Sequence, residues 1–235
     1  MEMNYAFVFV LTVAGFLVLY FGGAWMGHRL TQLAKGKVID SRPLKIKQQK
    51  REIVFSLISI VMFGLITLFT VYLINHGILH VTWTFNWWKL PIEIIALFLW
   101  NEIHFYLCHR LLHTKWLYKH VHYLHHQSVT PTSYSTYSFH FAEALLLGSV
   151  MTTALILYSF SFLSLLTLPL MSMILNVLGH YNFDLFPERT MRSLLSFTRR
   201  HSYHHSKNTG NYGFFLPYFD LLFSTHIQEK ERKLS

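Results

Sequence analysis

The sequence predicts an all-α membrane protein, a polytopic helical bundle whose cytoplasmic helical cap carries a histidine-rich site for two metal ions. Two observations predict the bundle: 52% of the 235 residues are apolar while only 13% are charged, and two runs of 22 residues carry no charge. A third predicts the metal site, because 16 histidines outnumber 11 carboxylates and 11 of them lie between His109 and His205. This composition excludes a disordered chain and an ordinary soluble domain.

Three helices are predicted to cross the membrane in the first half of the chain. A hydrocarbon core about 30 Å thick is spanned by roughly 20 apolar residues in a helix. Residues 5–26 and 53–74 supply this length without a charge, and residues 91–108 form the third predicted span. A tryptophan-rich segment precedes the third span, as is typical of the aromatic belt at lipid headgroups.

An uncharged stretch of 35 residues, 144–178, predicts two further helices. Serines at 159 and 161 interrupt it, so the expected spans are residues 144–160 and 162–178, joined by a tight turn. Both are short and the second contains a proline, so they either cross the bilayer fully or enter it only in part. No repeat or long linker divides the chain, which predicts a single domain over residues 1–235.

The distribution of lysine and arginine predicts the orientation. Of 20 such residues, eight lie between Arg29 and Arg51, three between Arg110 and Lys119, and eight between Arg189 and Lys233. The positive-inside rule places these segments on the cytoplasmic side, together with the histidine-rich regions 109–140 and 180–226. Because topology accounts for the net charge of +9, no nucleic-acid partner is predicted. The expected location is a bacterial inner membrane, with the endoplasmic reticulum as the alternative.

Three histidine motifs have the spacing of helical metal ligands. HRLLH sets two histidines four residues apart, on one face of a helix, and HYLHH and HSYHH each repeat an i, i+3, i+4 spacing. Neutral imidazole binds iron, zinc, copper and nickel, and eight such nitrogens exceed the four that one tetrahedral ion takes. We therefore predict two metal ions. The predicted ligands are His109, His113, His122, His125, His126, His201, His204 and His205.

Three further histidines are candidate ligands. His180 ends the last apolar run and is expected to face the same site, which makes it a ninth ligand. His120 and His140 lie close to the motifs in sequence and are additional candidates. Isolated histidines elsewhere, such as His28, are expected to pack or to form hydrogen bonds without metal.

Other kinds of histidine-rich protein fit the pattern less well. A zinc hydrolase of the HExxH type needs a glutamate between its paired histidines, where this chain has Arg110, Leu111 and Leu112. A metal transporter is expected to carry ionisable residues along its membrane path, whereas these motifs lie beyond the spans. A haem protein with two axial histidines finds only His104 within a span. The transporter and the haem protein stay open as alternatives.

Further motifs accompany the histidines in a fixed order. Residues 102–126, EIHFYLCHRLLHTKWLYKHVHYLHH, are followed by FHFAEALLLG at 139–148 and GHYNFD at 179–184, and then by HSYHHSKNTGNYG and Asp220 with LLFST. This series resembles the histidine boxes, the FHPxE element and the trailing aspartate of the fatty acid hydroxylase/sterol desaturase superfamily of membrane-bound non-haem di-iron oxygenases. Its C-terminal part is similar to 4-methyl sterol oxidases. The resemblance covers over half the chain.

The chain departs from the superfamily pattern at three positions. Glu102 stands where aspartate is common, Phe141 where proline is common, and Ser202 where aspartate is common. None of these positions is a box histidine. The departures therefore bear on the substrate and leave the predicted metal binding intact.

The resemblance implies an oxidoreductase with two iron ions, Fe2+ or Fe3+, and O2 as co-substrate. Its implied substrate is a membrane lipid, fatty acyl, sterol-like or related, of which an unactivated C–H bond is hydroxylated or desaturated. A separate reductase, ferredoxin or small haem protein is expected to donate electrons, and Arg199 and Arg200 are candidate docking residues for an acidic donor.

Carboxylates and aromatic residues have predicted supporting roles. The second ring nitrogen of a metal-bound histidine usually donates to a carboxylate or carbonyl. Asp184 is also a candidate direct ligand. The predicted carboxylate acceptors are Glu102, Glu143, Asp184 and Asp220, and the candidate apolar lining consists of Phe105, Tyr106, Phe139 and Phe141.

Overall fold

The computed structural model describes residues 3–33, 38–84 and 86–227, and helix dominates this part of the chain. Its only β pairing is two isolated bridges, Val38 with Phe183 and Thr82 with Ser161. The all-α class is confirmed. The helices are α1 (Tyr5–Leu33), α2 (Gln48–Asn75), α3 (Lys89–Leu112), α4 (Lys115–Leu117), α5 (Tyr123–His126), α6 (Phe141–Gly148), α7 (Val150–Leu157), α8 (Phe162–Gly179), α9 (Phe197–Lys207) and α10 (Tyr218–Leu222).

Four of the described helices, α1, α2, α3 and α8, are long and apolar enough to cross a membrane. Their exposed faces carry large apolar side chains because lipid, rather than water, is the solvent for a spanning helix. In α3, for example, Ile92, Ile95 and Leu99 are all exposed on one stripe. The chain is therefore an integral membrane protein.

Hydrogen bonds between helix ends show that the spanning helices alternate in direction. At one end of the bundle, Met3 N donates to Asn75 Oδ1 (3.1 Å) and Ser161 N donates to Glu93 Oε2 (3.1 Å). At the other end, Asp40 N donates to the Oδ1 of Asn182, just after α8 (2.8 Å). The C-termini of α1, α3 and α8 and the N-terminus of α2 thus gather at one end, which we call the histidine end.

Helices α6 and α7 occupy most of the predicted span over residues 144–160. Ser149 lies between them, and its hydroxyl donates to Leu146 O (2.7 Å). Together they form an apolar helical stretch over Phe141–Leu157, which is shorter than the four spanning helices. The hydroxyls of Thr152 in α7 and Thr70 in α2 lie 2.6 Å apart. The chain turns at residues 158–161 and returns as α8.

A buried carboxylate organises the loop that follows the second histidine motif. Glu52, in the first turns of α2, is fully buried and accepts hydrogen bonds from Gln48 Nε2 (2.8 Å), Ser128 Oγ (2.7 Å) and Thr132 Oγ1 (2.6 Å). Burying a carboxylate is costly unless its oxygens are hydrogen-bonded, so these donors stabilise it. The contacts fix the path of the chain between His126 and α6.

The histidine end is packed around aromatic side chains. Tyr20 of α1, Phe63 of α2, Tyr137 and Phe139 of the loop, and Tyr181 after α8 form one buried cluster. Such rings bury large apolar areas and pack edge to face, as Phe63 and Tyr137 do here at 79°. This cluster supports the histidines from the side of α1 and α2.

The close approach of α1 to Tyr181 provides a stability prediction. A Cβ atom at Gly27 would overlap the Tyr181 ring and Ser133 Oγ, whereas a Cβ atom at Gly22, in the same helix, would meet no atom within 4 Å. We expect Gly27→Ala to lower the free energy of unfolding by about 1–3 kcal/mol through overpacking, and Gly22→Ala to change it by less than about 1 kcal/mol. Thermal unfolding of both variants in detergent measures the difference; equal melting temperatures would contradict the packing described.

Candidate metal centre

Nine buried or half-buried histidines converge at the histidine end in two groups. The ligand nitrogens within each group all lie within 4.8 Å of one another. Every histidine is buried except His113, which is half-buried. The structure thus brings together all nine principal ligands that the sequence predicts. Group one contains His109, His113, His122, His126 and His204, and group two contains His125, His180, His201 and His205.

Helical geometry explains how the repeated HxxHH motif serves two groups. Residues four apart share a helix face, while adjacent residues point about 100° apart. In α9, His201 and His205 accordingly join group two, and His204 joins group one. In HYLHH the assignment is reversed, since His122 and His126 join group one and His125 joins group two. The motif therefore links the two groups, and the rings of His126 and His205 lie 4.9 Å apart across them.

A π-helical turn over Tyr118–His122 joins α4 to α5 and ends on the first histidine of the second motif. Single π turns are frequent at functional sites. His109 comes from the last turn of α3, and His180 follows the last residue of α8. The ends of two membrane helices, the π-helical turn and the short helices α5 and α9 therefore supply all nine histidines.

The Nε2 atoms of group one point toward one another. That of His126 lies 3.1 Å from Nε2 of His122 and 3.0 Å from Nε2 of His204. The Nε2 atoms of His204 and His113 lie 3.2 Å apart. Two nitrogens bound to one ion at about 2.1 Å lie roughly 3.0–3.4 Å apart for bond angles between ~90° and ~110°. These separations fit a shared metal ion.

Group two has the same arrangement. The Nε2 atom of His180 lies 3.4 Å from Nε2 of His125 and 3.1 Å from Nε2 of His201. A further separation of 3.1 Å joins the Nε2 atoms of His201 and His205. All three distances again fit nitrogens that share one ion.

Backbone carbonyls fix the tautomer of four of these histidines. The Nδ1 atom of His109 lies 2.9 Å from Tyr212 O and that of His204 lies 2.7 Å from Gly210 O. A carbonyl oxygen only accepts hydrogen bonds, so Nδ1 carries the proton and Nε2 presents a lone pair. In group two, the Nδ1 atoms of His125 and His180 face the carbonyls of Ser138 (3.4 Å) and Asn176 (2.8 Å) in the same way.

Burial keeps the imidazoles neutral. Loss of solvent, and secondarily the neighbouring histidines, hold the pKa of His125, His204 and His205 well below the usual value of 6.5. Near neutral pH the rings are therefore uncharged, and their convergent nitrogen lone pairs are not protonated. A metal cation is the group that these lone pairs fit, and neutral imidazole is a ligand for several transition metals.

Glu143 is the one predicted carboxylate that contacts a ligand histidine. Its Oε1 atom lies 2.8 Å from Nδ1 of His122, and both side chains are buried. A carboxylate in this position orients the ring and makes the opposite nitrogen a better metal donor. The residue comes from the first turn of α6, where His140 Nδ1 accepts from Ala142 N and caps the helix.

Glu102 and Asp220 hold a loop instead of a histidine. Glu102 Oε2 accepts from the backbone N–H groups of Phe215 (3.0 Å) and Leu216 (2.7 Å). Asp220 accepts from the backbone N–H groups of Tyr212 (2.8 Å) and Gly213 (2.7 Å). The prediction that these carboxylates contact histidines is wrong, because short loops with many buried N–H groups need acceptors of their own. They act on His109 indirectly, through the Tyr212 carbonyl.

Asp184, Arg199 and Arg200 have structural roles. Asp184 Oδ2 lies 3.4 Å from Arg199 Nη1, so this aspartate lies outside both groups and is not a candidate ligand. Both arginines are buried, 7% and 2% exposed, and Arg200 donates to backbone carbonyls that include Met191 O (3.0 Å) and Phe215 O (2.6 Å). Neither can dock an electron donor, which corrects the expectation from sequence.

His120, His140 and His104 lie outside both groups. His120 is exposed and its Nδ1 faces Trp116 O (2.9 Å), while His140 caps α6. His104, within α3, has its Nε2 atom 3.2 Å from Ser149 Oγ. The structure therefore does not bring the two additional candidates into the centre.

A small enclosed cavity lies between the two groups. Histidines of both groups line it, together with Phe105 of α3, Phe139, and Leu147 of α6. The other two aromatic residues predicted to line it lie elsewhere: Tyr106 stacks on Phe219 of α10, and Phe141 is exposed. The cavity thus combines metal-binding nitrogens with an apolar wall formed by helices of the bundle.

Sequence reasoning missed the backbone acceptors. The carbonyls of Tyr212 and Gly210 lie in the loop after α9 and hold one histidine each. The glycine and asparagine residues of NTGNYG signal this loop, since Asn208, Gly210 and Asn211 adopt positive φ values that favour these residue types. The sequence indicates a tight turn here but not which carbonyls it presents.

Taken together, the fold and the site define an integral membrane protein with a buried centre suited to two metal ions. The chain belongs to the fatty acid hydroxylase family, whose family model matches residues 94–225. The matched region begins in α3 and ends just after α10, so it includes all nine converging histidines.

The chain is similar to curated proteins from plants. Very-long-chain aldehyde decarbonylase GL1-8 of Oryza sativa subsp. indica is 31% identical over 160 residues, which cover 63% of this chain and 59% of the relative. Methylsterol monooxygenase 2-1 of Arabidopsis thaliana is 30% identical over 156 residues, 60% of this chain and 57% of the relative. The alignments thus span about three fifths of the length of these relatives. No solved structure matches the chain.

Adjacent histidines of α9 test the division into two groups. We expect His204→Ala to remove metal from group one and His205→Ala to remove it from group two, so each variant should lose about half of the bound metal and the double variant nearly all of it. Plasma mass spectrometry of purified protein loaded anaerobically with Fe2+ measures the metal content. The control is His120→Ala, which should retain the full content; undiminished metal in either single variant would contradict the assignment.

Proposed function

We propose that this protein is an iron-dependent, O2-using oxidoreductase that hydroxylates or desaturates an unactivated C–H bond of a membrane lipid. The observation that carries the proposal is the convergence of nine histidines, in two adjoining groups, on an apolar-walled cavity between membrane helices. The names of the relatives support it, since they include a methylsterol monooxygenase and very-long-chain aldehyde decarbonylases.

Group one and group two would each hold one iron ion. Imidazole nitrogens bind iron, as they bind several other transition metals. Because the two groups adjoin, they would keep two ions close together. When bound, the iron pair would supply the reduction of O2 and the oxidising power for the C–H bond. For hydroxylation, one oxygen atom enters the lipid and the other leaves as water, which consumes two electrons and two protons. Both electrons must come from a donor.

The chain's own residues hold the ligands and exclude water. Glu143 accepts a hydrogen bond from Nδ1–H of His122, and backbone carbonyls accept hydrogen bonds from Nδ1–H of four other histidines. These rings would therefore be oriented before a metal ion binds. Phe105, Phe139 and Leu147 line the apolar side of the cavity. A dry cavity protects a strong oxidant from side reactions with solvent.

The position of the cavity favours a lipid substrate. Its walls come from α3, α6 and α8, and α3 and α8 are long and apolar enough to span the membrane. An acyl chain or a sterol-like ring system can therefore leave the bilayer between these helices and bring one carbon to the centre. The enclosed cavity is small, so side chains such as Leu147 must move to admit it.

The histidine end is proposed to face the cytoplasm. The basic segment between Arg29 and Arg51 connects α1 to α2 at this end, as the positive-inside rule requires of a cytoplasmic loop. A bacterial inner membrane is the proposed location. Electrons would then come from a separate cytoplasmic reductase, ferredoxin or small haem protein.

Whole-lipid mass spectrometry tests the proposed function. Cells that express the protein should contain lipids shifted by one oxygen or by the loss of two hydrogens, and these species should vanish without O2. His125→Ala should abolish them, because it removes a group-two histidine, whereas His76→Ala, at an exposed histidine just after α2, should retain them. Lipids identical in expressing and non-expressing cells, across hosts with different lipid compositions, would count against the enzyme; transport of metal without lipid change would favour the transporter.

A further inference from the structure

One helical segment carries two histidines of group one, His122 and His126. Residues 115–126 run continuously through α4, the π-helical turn and α5. His122 and His126 lie on the inner face of this segment and are buried. A helix with its side chains is about 10–12 Å across, so the outer face lies within one helix diameter of the metal ligands. We call the side of this segment that faces away from His122 and His126 the outer face. Its exposed residues are Lys115, Trp116, Lys119, His120 and Tyr123.

The outer face is basic. No carboxylate occurs in the sequence between Glu102 and Glu143. Neither Lys115 nor Lys119 forms an ion pair with any carboxylate in the described part of the chain. Their charges are therefore directed to solvent or to a partner, and a partner of complementary charge is acidic.

The side chains of the outer face favour a protein over a lipid surface. Its only large exposed apolar groups are Trp116 and Tyr123, and it exposes no leucine, isoleucine, valine or phenylalanine. A helix that lies in the membrane interface normally buries an apolar stripe that includes aliphatic residues. Tryptophan and tyrosine are instead enriched at the energetically dominant centre of protein interfaces, and polar residues form the rim.

One ligand of group one reaches toward this side of the site. His113, which directly follows α3 and lies two residues before Lys115, is the half-buried member of the nine. Its ring lies 5.2 Å from the ring of Tyr118 and 4.9 Å from that of Tyr212, measured between centroids. Group one is therefore the group closest to a polar, aromatic surface, whereas all of group two is buried.

We propose that the outer face is the docking surface for an acidic one-electron carrier protein that reduces the metal centre through group one. The inference rests on the proposed function and adds the site at which its electrons enter. On each docking event the carrier is oxidised by one electron and the centre is reduced by one electron. Two events supply the two electrons of one turnover.

Charge reversal on the outer face tests the docking surface. The probe is an acidic [2Fe–2S] ferredoxin, and its affinity for the full chain in nanodiscs is measured directly. We expect Lys115→Glu combined with Lys119→Glu to raise the Kd at least about tenfold and to reduce its dependence on ionic strength, since two favourable charge contacts become repulsive. The conservative double variant, Lys115→Arg with Lys119→Arg, should bind ferredoxin as tightly as the unmodified chain, because both positive charges are kept.

Lys89 provides a matched control. It is exposed and begins α3, about 36 Å of helix away from the end that precedes Lys115. Lys89→Glu should leave the Kd unchanged. An equal effect of charge reversal at both ends of α3, or no effect at the outer face, would overturn the docking surface.

Two further outcomes separate the docking surface from its alternatives. A nitroxide on Trp116→Cys, in a Cys108→Ser background, should be accessible to a water-soluble nickel chelate; accessibility only to oxygen dissolved in lipid would show that the membrane covers this face and overturn the proposal. Ferredoxin-driven or dithionite-driven lipid oxidation is assayed in parallel. Charge-dependent ferredoxin binding without oxidised lipid would support the docking surface and count against the proposed function instead.

Discussion

The constraint on which this structure depends is the presence of convergent nitrogen lone pairs in a buried interior. Backbone carbonyls accept hydrogen bonds from the Nδ1–H groups of His109, His125, His180 and His204, so their Nε2 lone pairs face inward. A buried polar atom without a partner costs about 1–3 kcal/mol, and burial keeps the rings from taking up protons. A metal ion at each group would remove this cost.

The membrane bundle serves this centre by collecting helix ends. The alternating direction of the spanning helices brings the ends of α3 and α8 to one level, and the short helices complete the ligand set there. Buried carboxylates then stabilise the loops between these elements: Glu52 holds the loop after the second motif, while Glu102 and Asp220 hold the loop after α9. Acidic residues thus position ligands mainly through the backbone, and Glu143 alone contacts a ring directly.

The two groups differ in their surroundings, and this difference is consistent with a division of labour. Group two lies deep in the protein, while group one includes the half-buried His113 and is covered by one helical segment. The cavity between the groups has apolar walls that come from the bundle. In the proposed function, a lipid would approach this cavity from the membrane, while the proposed carrier protein would approach the basic outer face.

The sequence by itself determined the all-α membrane class and the nine converging histidines, because uncharged runs of bilayer length and helical histidine spacing are local patterns. Only the tertiary structure decided which histidines lie together in one group, since the division of the HxxHH motifs depends on how separate helices face one another. The tertiary structure also decided the roles of three charged residues. Glu102 accepts from the backbone N–H of Phe215, and Arg200 donates to the carbonyl of the same residue. Asp220 accepts from the backbone N–H of Tyr212. Local patterns cannot reveal such contacts, because the demand for a buried partner arises only when the chain is folded.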